Sequence, residues 1–465
     1  MSRPLLLKLR SSQMFIVATV SLSLFTHMFL YGMIVPVMPV ALITRTNIPP
    51  QDREFWNSVL FISEAAASVA SAPVFGYLLD RSNTRQGLYI FGLFMLLVSM
   101  GLLTAAFSIT VYVAARVLQG AASAMVSVAG FSIVTDTVTK AHLGYMLGYI
   151  DVGLTLGFAS GPLIGGIVYH AGGYYAVCGI AFGLIAIDLV LRLAVIEKKT
   201  AVFWLTLEAE ASPDPVIPNL TSQYGAIQPR GEDEDESEKK GLFLFGKLLQ
   251  QPRILITTWT FVLQAIYNSV LDTVIPIFVM DRFHWSTSGA GMVFLPIFVT
   301  VLVQPLSGYL SDRVGTRAVA TTGFLLLAPT LICLRFVEHN TMEHKVALCG
   351  FLALFGLFNN GTSPCLMVEM HKVVDELEVT NPEVFKRSGA VAQTFSLQQM
   401  AQFTGMTVGP IIGGLMDHRY GWKTMTLCLG LLSAITAIPT LWVSGREATG
   451  ELPKNDQENE PLLAE

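Results

Sequence analysis

The feature that most constrains this chain is the recurrence of long segments with almost no charged side chains. Residues 86–107 contain no Asp, Glu, Lys or Arg, and residues 143–169 contain only Asp151. A helix of roughly 20 apolar residues crosses the hydrocarbon core of a bilayer. Twelve segments fit this length: about 13–37, 55–79, 86–107, 110–135, 143–169, 174–196, 254–280, 288–311, 318–337, 346–369, 388–415 and 422–444. The apolar/polar alternation of strands is absent from them, which predicts membrane-spanning helices.

The composition supports the same class and excludes others. Only 14% of residues are charged, whereas a soluble chain carries about 25%. We found no phosphate-binding loop, nucleophile elbow or metal-ligand cluster, so neither an enzyme nor a cofactor or metal site is expected. No basic region indicates nucleic-acid binding. The first apolar run follows Arg3, Lys8 and Arg10; it is too long for a signal peptide and lacks a cleavage site, so we expect a retained first helix.

Basic residues predict the orientation. With the N-terminus in the cytoplasm, about twenty Lys and Arg fall inside and about six outside, which is the asymmetry that sets topology. We therefore expect a multi-pass protein with both termini cytoplasmic.

Two motifs recur in the same order, which predicts two related halves. Gly76–Arg81 returns as Gly308–Arg313, offset by 232 residues, and Gly157–Gly166 returns as Gly405–Gly414, offset by 248. The difference of 16 residues predicts an insertion in the second half, about 373–388. Between the halves, a proline-containing segment with the acidic run 232–236 has too little apolar surface to fold alone.

The expected organisation is an all-α membrane protein of twelve transmembrane helices in two six-helix pseudo-symmetric halves. Parallel six-helix repeats around a central cavity are a transporter architecture. The predicted divisions are 1–196 for the first half, 197–252 for a cytoplasmic linker, 253–445 for the second half and 446–465 for a cytoplasmic tail.

The motifs resemble those of the major facilitator superfamily, and within it the drug/proton antiporter branch that includes vesicular amine transporter-like proteins. The pattern Gly76-x-Leu78-x-Asp80-Arg81-x3-Arg85 and its copy from Gly308 to Arg317 are similar to the family's signature between helices two and three. The resemblance implies gating at the cytoplasmic face rather than substrate contact. Asp80 is suited to cap a helix end or pair with a cation. The expected gating residues are Gly76, Asp80, Arg81, Arg85, Asp136, Gly308, Asp312, Arg313 and Arg317.

Two further blocks carry the resemblance. Arg116-Val117-Leu118-Gln119-Gly120 resembles the helix-four signature, which implies a role in proton coupling; the alternative is an Arg116 side chain that snorkels to the outer surface. The glycine-rich block in helix five, with its copy in helix eleven, resembles the antiporter signature and implies exchange. Its residues are expected to allow close helix packing: Gly157, Gly161, Pro162, Gly165, Gly166, Gly409 and Pro410.

The ionisable positions depart from those of the amine transporter-like proteins. His27, Asn359 and Gln399 stand where relatives often have acids, which argues against a cationic monoamine substrate. Glu64 stands where those relatives have a lysine, among small residues and with no compensating cation beside it in the sequence, while Asp272 keeps the acid of helix seven. Ionisable groups inside the membrane are functional candidates by default, so the expected substrate and proton pathway comprises His27, Glu64, Arg116, Asp272, Asn359 and Gln399. Asp151 remains unassigned.

The function expected from these features is proton-coupled antiport of a small amphipathic organic compound, a drug or metabolite, by a monomer in the lipid bilayer. Glu64 or Asp272 is the expected proton carrier. A proton symporter or uniporter for a metabolite, and a non-transporting receptor or scaffold, remain as alternatives. Glu458-x3-Leu462-Leu463 resembles an acidic dileucine sorting signal, so both the plasma membrane and an endosomal or vacuolar membrane stay open.

Overall fold

A computed structural model of the chain describes residues 7–46, 48–49, 52–82, 85–139, 142–196, 245–285, 289, 292–380 and 390–443. Most of the predicted linker, the end of the predicted insertion and the predicted tail with its dileucine pattern lie outside the described residues. Within the described part the chain is almost entirely helical.

The first half contains six membrane spans. They are α1 (Gln13–Thr46), α2 (Arg53–Arg81), α3 (Arg85–Ala105), α4 (Ile109–Thr137), and α5 (143–172) and α6 (174–194), which together form the continuous helix Leu143–Ala194. A short helix, Leu7–Arg10, precedes α1.

The second half repeats this arrangement. Its spans are α7 (Pro252–Phe283), α8 (Leu295–Val301 with Gln304–Val314), α9 (Thr316–Cys333), α10 (Met342–Thr380), and α11 (391–420) and α12 (422–437), which together form Val391–Ala437. Short 3-10 turns, Leu334–Phe336 and Pro439–Trp442, follow α9 and α12.

In the described part of the chain, nine helices are long and apolar enough to cross a membrane. Two of them hold two spans each, and the divided α8 supplies the twelfth. The sequence predicted separate helices at 143–169 and 174–196, whereas the structure joins them through a kink at Gly173 with φ 72° and ψ −169°. Gly421 makes the equivalent kink with φ 75° and ψ 168°. Only glycine adopts this backbone conformation without strain.

Most glycines of the glycine block lie at close contacts between neighbouring helices. In the first half, α5 packs along α1, and an added Cβ on Gly161 would lie 2.6 Å from the Phe29 carbonyl oxygen. In the second half, α11 packs along α7, and a Cβ on Gly409 would lie 2.6 Å from Ser269 Cβ. Backbones this close leave no room for a side chain.

Other members of the glycine block divide between the two faces of α5. Gly157 and Gly165 face the α1 backbone as Gly161 does, and Pro162 packs beside Gly32. Gly166 is different, because an added Cβ there would meet no atom within 4 Å. Gly166 therefore does not share the packing role that the motif predicted for it.

Candidate transport site

The two halves are joined at one end of the bundle by a symmetric pair of aspartates. The Asp80 carboxylate accepts hydrogen bonds from the backbone N–H groups of Ala392 and Gln393, each at 2.9 Å, in the first turn of α11. We call the end of the bundle where Asp80 and Asp312 lie the motif end. The first N–H groups of a helix have no partner within the helix, and a carboxylate there also interacts favourably with the helix dipole.

Asp312 makes the matching contact in the opposite direction. It accepts hydrogen bonds from the N–H groups of Gly144 at 3.0 Å and Tyr145 at 3.1 Å, in the first turn of α5. The 248-residue offset between the glycine blocks also relates these two residues to Ala392 and Gln393. Each aspartate thus caps a helix of the other half, so the two contacts close the motif end together.

Glycines beside the aspartates permit these contacts. A Cβ on Gly76 would lie 3.0 Å from the Ala392 carbonyl oxygen, and a Cβ on Gly308 would overlap the backbone of Gly144. Small residues at these positions bring α2 against α11 and α8 against α5.

The motif arginines do not act as one group. Arg85 lies 3.0 Å from the Asp136 carboxylate and 3.8 Å from that of Asp80, which brings together the charges that the resemblance grouped. The remaining three lie elsewhere: Arg81 contacts the Tyr77 hydroxyl at 3.4 Å, Arg313 lies over the Tyr309 ring at 4.8 Å, and Arg317 donates to the Val443 carbonyl at 2.9 Å.

Glu64 and Arg116 form a buried ion pair between α2 and α4. Their side chains are 1% and 0% exposed, and Arg116 Nη1 also donates to Gln119 Oε1 at 2.8 Å. Glu64, which the sequence left without a compensating cation, therefore has one in Arg116. The alternative in which Arg116 snorkels to the outer surface does not hold, because the side chain is fully buried. The sequence offered no direct signal, because the partners lie on different helices and meet only through packing.

An aromatic side chain links this ion pair to the interface between the halves. The Arg116 guanidinium carbon lies 5.7 Å from the centre of the Tyr31 ring. Tyr31 stacks on Phe158 of α5, with ring centroids 6.1 Å apart, and meets Phe403 of the second half edge-on at 6.3 Å. Asp272, the other predicted proton carrier, lies on α7.

The other predicted pathway residues are distributed along both halves. His27 Nε2 lies 3.2 Å from the Ser127 hydroxyl, within the first half. The Gln399 amide lies 3.5 Å from the hydroxyl of Ser68 on α2. Asn359 donates to Asn268 Oδ1 at 3.1 Å, within the second half. The structure therefore brings Glu64 and Arg116 into direct contact but leaves His27 and Asn359 apart from them.

A cavity lies between the halves, next to Phe158. It is lined by α5 from the first half and by α7, α8, α10 and α11 from the second. The wall contains seven amide side chains: Gln264, Asn268, Gln304, Asn359, Asn360, Gln398 and Gln402. Asp151 is the one ionisable side chain among the described lining residues.

Asp151 is the main residue that sequence reasoning left unassigned. Gln304 Nε2 of α8 donates to Asp151 Oδ2 at 2.9 Å and to Thr155 Oγ1 at 3.2 Å, so this contact also crosses the interface. The internal repeat contains a signal for Asp151, because the offset of 248 residues makes it the counterpart of Gln399, a predicted pathway residue.

Comparison with known proteins is consistent with this geometry. The sequence profile described as the Major Facilitator Superfamily matches residues 20–378 and 269–464. An MFS-type transporter, ppzB, of Metarhizium rileyi is 31% identical over 93% of this chain and 95% of its own length. The chain belongs to the Major Facilitator Superfamily. It is therefore a multi-pass membrane transporter and not an enzyme, as the repeated motifs predicted.

Two further proteins match at lower identity. The synaptic vesicular amine transporter of Mus musculus is 23% identical over 85% of this chain and 69% of its own length. The crystal structure of the human organic anion transporter MFSD10 aligns with a TM-score of 0.65 over 92% of this chain and 99% of that chain, at 15% identity. The latter likeness supports the superfamily fold alone.

Proposed function

We propose that the chain is a proton-coupled antiporter that exports or sequesters a small amphipathic organic compound by alternating access. The observation that carries the proposal is the buried Glu64–Arg116 pair, which one aromatic ring, Tyr31, separates from a cavity between two halves joined by reversible contacts. An ion pair inside the membrane is costly to maintain and is a functional candidate for that reason.

The contacts at the motif end support the alternating-access step. Hydrogen bonds that Asp80 and Asp312 accept from backbone N–H groups hold the halves together without a covalent link, so rocking of one half against the other breaks both sets of contacts. We place the motif end on the cytoplasmic side, because the distribution of basic residues favours that orientation. In this arrangement the described conformation is closed toward the cytoplasm.

The ion pair supports the coupling step. A proton on Glu64 removes the negative charge that Arg116 faces. Loss of that charge weakens the electrostatic attraction between α2 and α4. Tyr31 contacts both the Arg116 guanidinium and Phe158 of the cavity wall. The effect of protonating Glu64 on the position of Arg116 is therefore passed to the cavity wall through the contacts of Tyr31 with Arg116 and Phe158. Asp272 remains the competing carrier.

The test uses the full chain in proteoliposomes with a pH-sensitive dye trapped inside. A panel of small amphipathic compounds is added outside, and internal pH is recorded while each compound enters. Antiport raises the internal pH because protons leave, symport lowers it, and uniport leaves it unchanged. If no compound enters at all, the chain is not a transporter of this class and the proposal fails.

Variants then identify the carrier. We expect Glu64→Gln to transport compound without moving protons, because glutamine cannot titrate. Asp272→Asn is the competing variant, and Glu343→Gln, at an exposed acid of α10, is the matched control. Normal proton movement by Glu64→Gln together with its loss in Asp272→Asn would assign the carrier to α7 instead.

A further inference from the structure

The cavity wall presents buried hydrogen-bond acceptors that have no donor. Among the described residues, Gln304 Oε1, Asn359 Oδ1 and Gln398 Oε1 have no hydrogen-bond partner. All three side chains line the cavity and are at most 2% exposed. Buried polar groups in native proteins are nearly always satisfied, so unpaired acceptors that share one cavity indicate a donor that binds there.

Neighbouring contacts show which atom is unpaired on two of these amides. The Gln304 nitrogen is held by Asp151 and Thr155, and the contact with the Asp151 carboxylate requires a donor at that position. The Asn359 nitrogen is held by the Asn268 side-chain oxygen. Reversing the Gln304 amide would place its oxygen against the Asp151 carboxylate, so the free atom on Gln304 is an acceptor. In the orientation that the structure gives Asn359, the free atom is Oδ1, which is also an acceptor.

The rest of the wall defines the remainder of the ligand. Phe158, Phe261, Leu154 and Met406 contribute an apolar surface that suits a ring or an aliphatic body. Asp151 supplies the one negative charge, and no basic side chain lies among the described lining residues. A second positive charge on the ligand would be buried without a partner, which is strongly unfavourable.

We infer that the cavity selects compounds with an apolar body, at least two N–H or O–H donors on one edge and at most one positive charge. Gln304 and Asn359 are the specificity-determining acceptors, and Asp151 is the acceptor for a charged donor. This inference rests on the proposed transport function and specifies the substrate class of that site. The cavity is expected to recognise hydrogen-bond donors on the ligand and not its charge alone.

The test uses two matched pairs of probes on the full chain in lipid nanodiscs. Benzamidine and phenyltrimethylammonium carry the same charge on the same ring, but only benzamidine has N–H donors. Benzamide and N,N-dimethylbenzamide are both neutral, and only benzamide has N–H donors. The readout is the apparent dissociation constant from ligand-induced thermal stabilisation. We expect benzamidine and benzamide to bind and the two methylated probes to bind at least about tenfold more weakly.

Variants locate the effect. Asn359→Leu should weaken binding of both donor probes about tenfold, as expected for one buried hydrogen bond. Asp151→Asn should weaken benzamidine more than benzamide, because only benzamidine is charged. Asn57→Leu is the matched control: the Asn57 side-chain oxygen also has no partner among the described residues, but Asn57 does not line the cavity. This control should bind all probes as the unmodified chain does.

Equal binding of benzamidine and phenyltrimethylammonium would overturn the inference, since charge alone would then explain recognition. Failure of both donor probes to bind would overturn it as well. Neither result affects the proposed function, which is judged separately by proton movement with the compound panel. Conversely, donor-selective binding without any proton movement would support this cavity assignment and contradict proton coupling.

Discussion

The buried Glu64–Arg116 pair gives the sharpest quantitative prediction. Replacing Glu64 with Gln leaves the Arg116 guanidinium fully buried without its counter-ion. Removal of one partner from a buried pair costs about 3–5 kcal/mol. We expect the lower end of this range, about 3 kcal/mol, because the glutamine oxygen still accepts a hydrogen bond and because Arg116 keeps its 2.8 Å contact with Gln119.

A double-mutant cycle separates the pair from its surroundings. Arg116→Gln should also lower the free energy of unfolding by about 3 kcal/mol, because it leaves the buried Glu64 carboxylate without its counter-ion. The double variant Glu64→Gln/Arg116→Gln leaves no buried charge unpaired. The double variant should therefore lose less than the two single losses combined, with a coupling energy of about 2 kcal/mol or more. Free energies of unfolding would be measured by steric trapping in lipid bicelles. Single losses that simply add would refute the ion pair as a coupled unit.

The remaining predictions concern the gate, the helix packing and the linker. Asp80→Ala removes two charge-assisted hydrogen bonds and should shift the equilibrium toward opening at the motif end by about 2 kcal/mol, roughly 30-fold; an unchanged distribution of spin-label distances across that end would contradict this. Gly161→Leu should abolish transport and lower the yield of folded protein through overpacking against α1, while Gly166→Leu should not, because its Cβ meets no atom within 4 Å. Equal tolerance in transport assays would show that close packing is not required. Deletion of residues 212–239, in the acidic linker, should leave proteoliposome uptake unchanged because such sequence adds no packed core; an inactive but well-folded deletion would count against a spacer role.

Several features of the site were readable from the repeats alone. The aspartates at 80 and 312 and the glycines at 157 and 161 were selected because their motifs recur. In the structure, the aspartates cap helix ends and the glycines lie at close helix contacts. A motif constrains local backbone geometry, so its copies behave alike in both halves. Gly166 was misassigned because a motif does not reveal which face of the helix each glycine occupies.

The sequence by itself determined the class of this protein. Hydropathy is a sum over neighbouring residues, so the twelve apolar spans and the membrane environment follow from local composition. The division into halves follows from motifs that recur along the chain. The superfamily followed from motifs that are also local. None of these conclusions required knowledge of which helices are neighbours.

Only the tertiary structure decided the partners. Asp80 contacts Ala392 and Gln393, which are more than 300 positions later in the chain. Gln304 contacts Asp151 across 153 positions. Glu64 was interpreted as an isolated acid until packing of α2 on α4 placed Arg116 beside it. Whether a buried charge is stranded or satisfied depends on atoms within a few ångströms, and in a helical bundle those atoms come from other helices. That is why the pairing of charges, unlike the location of spans, could not be deduced along the chain.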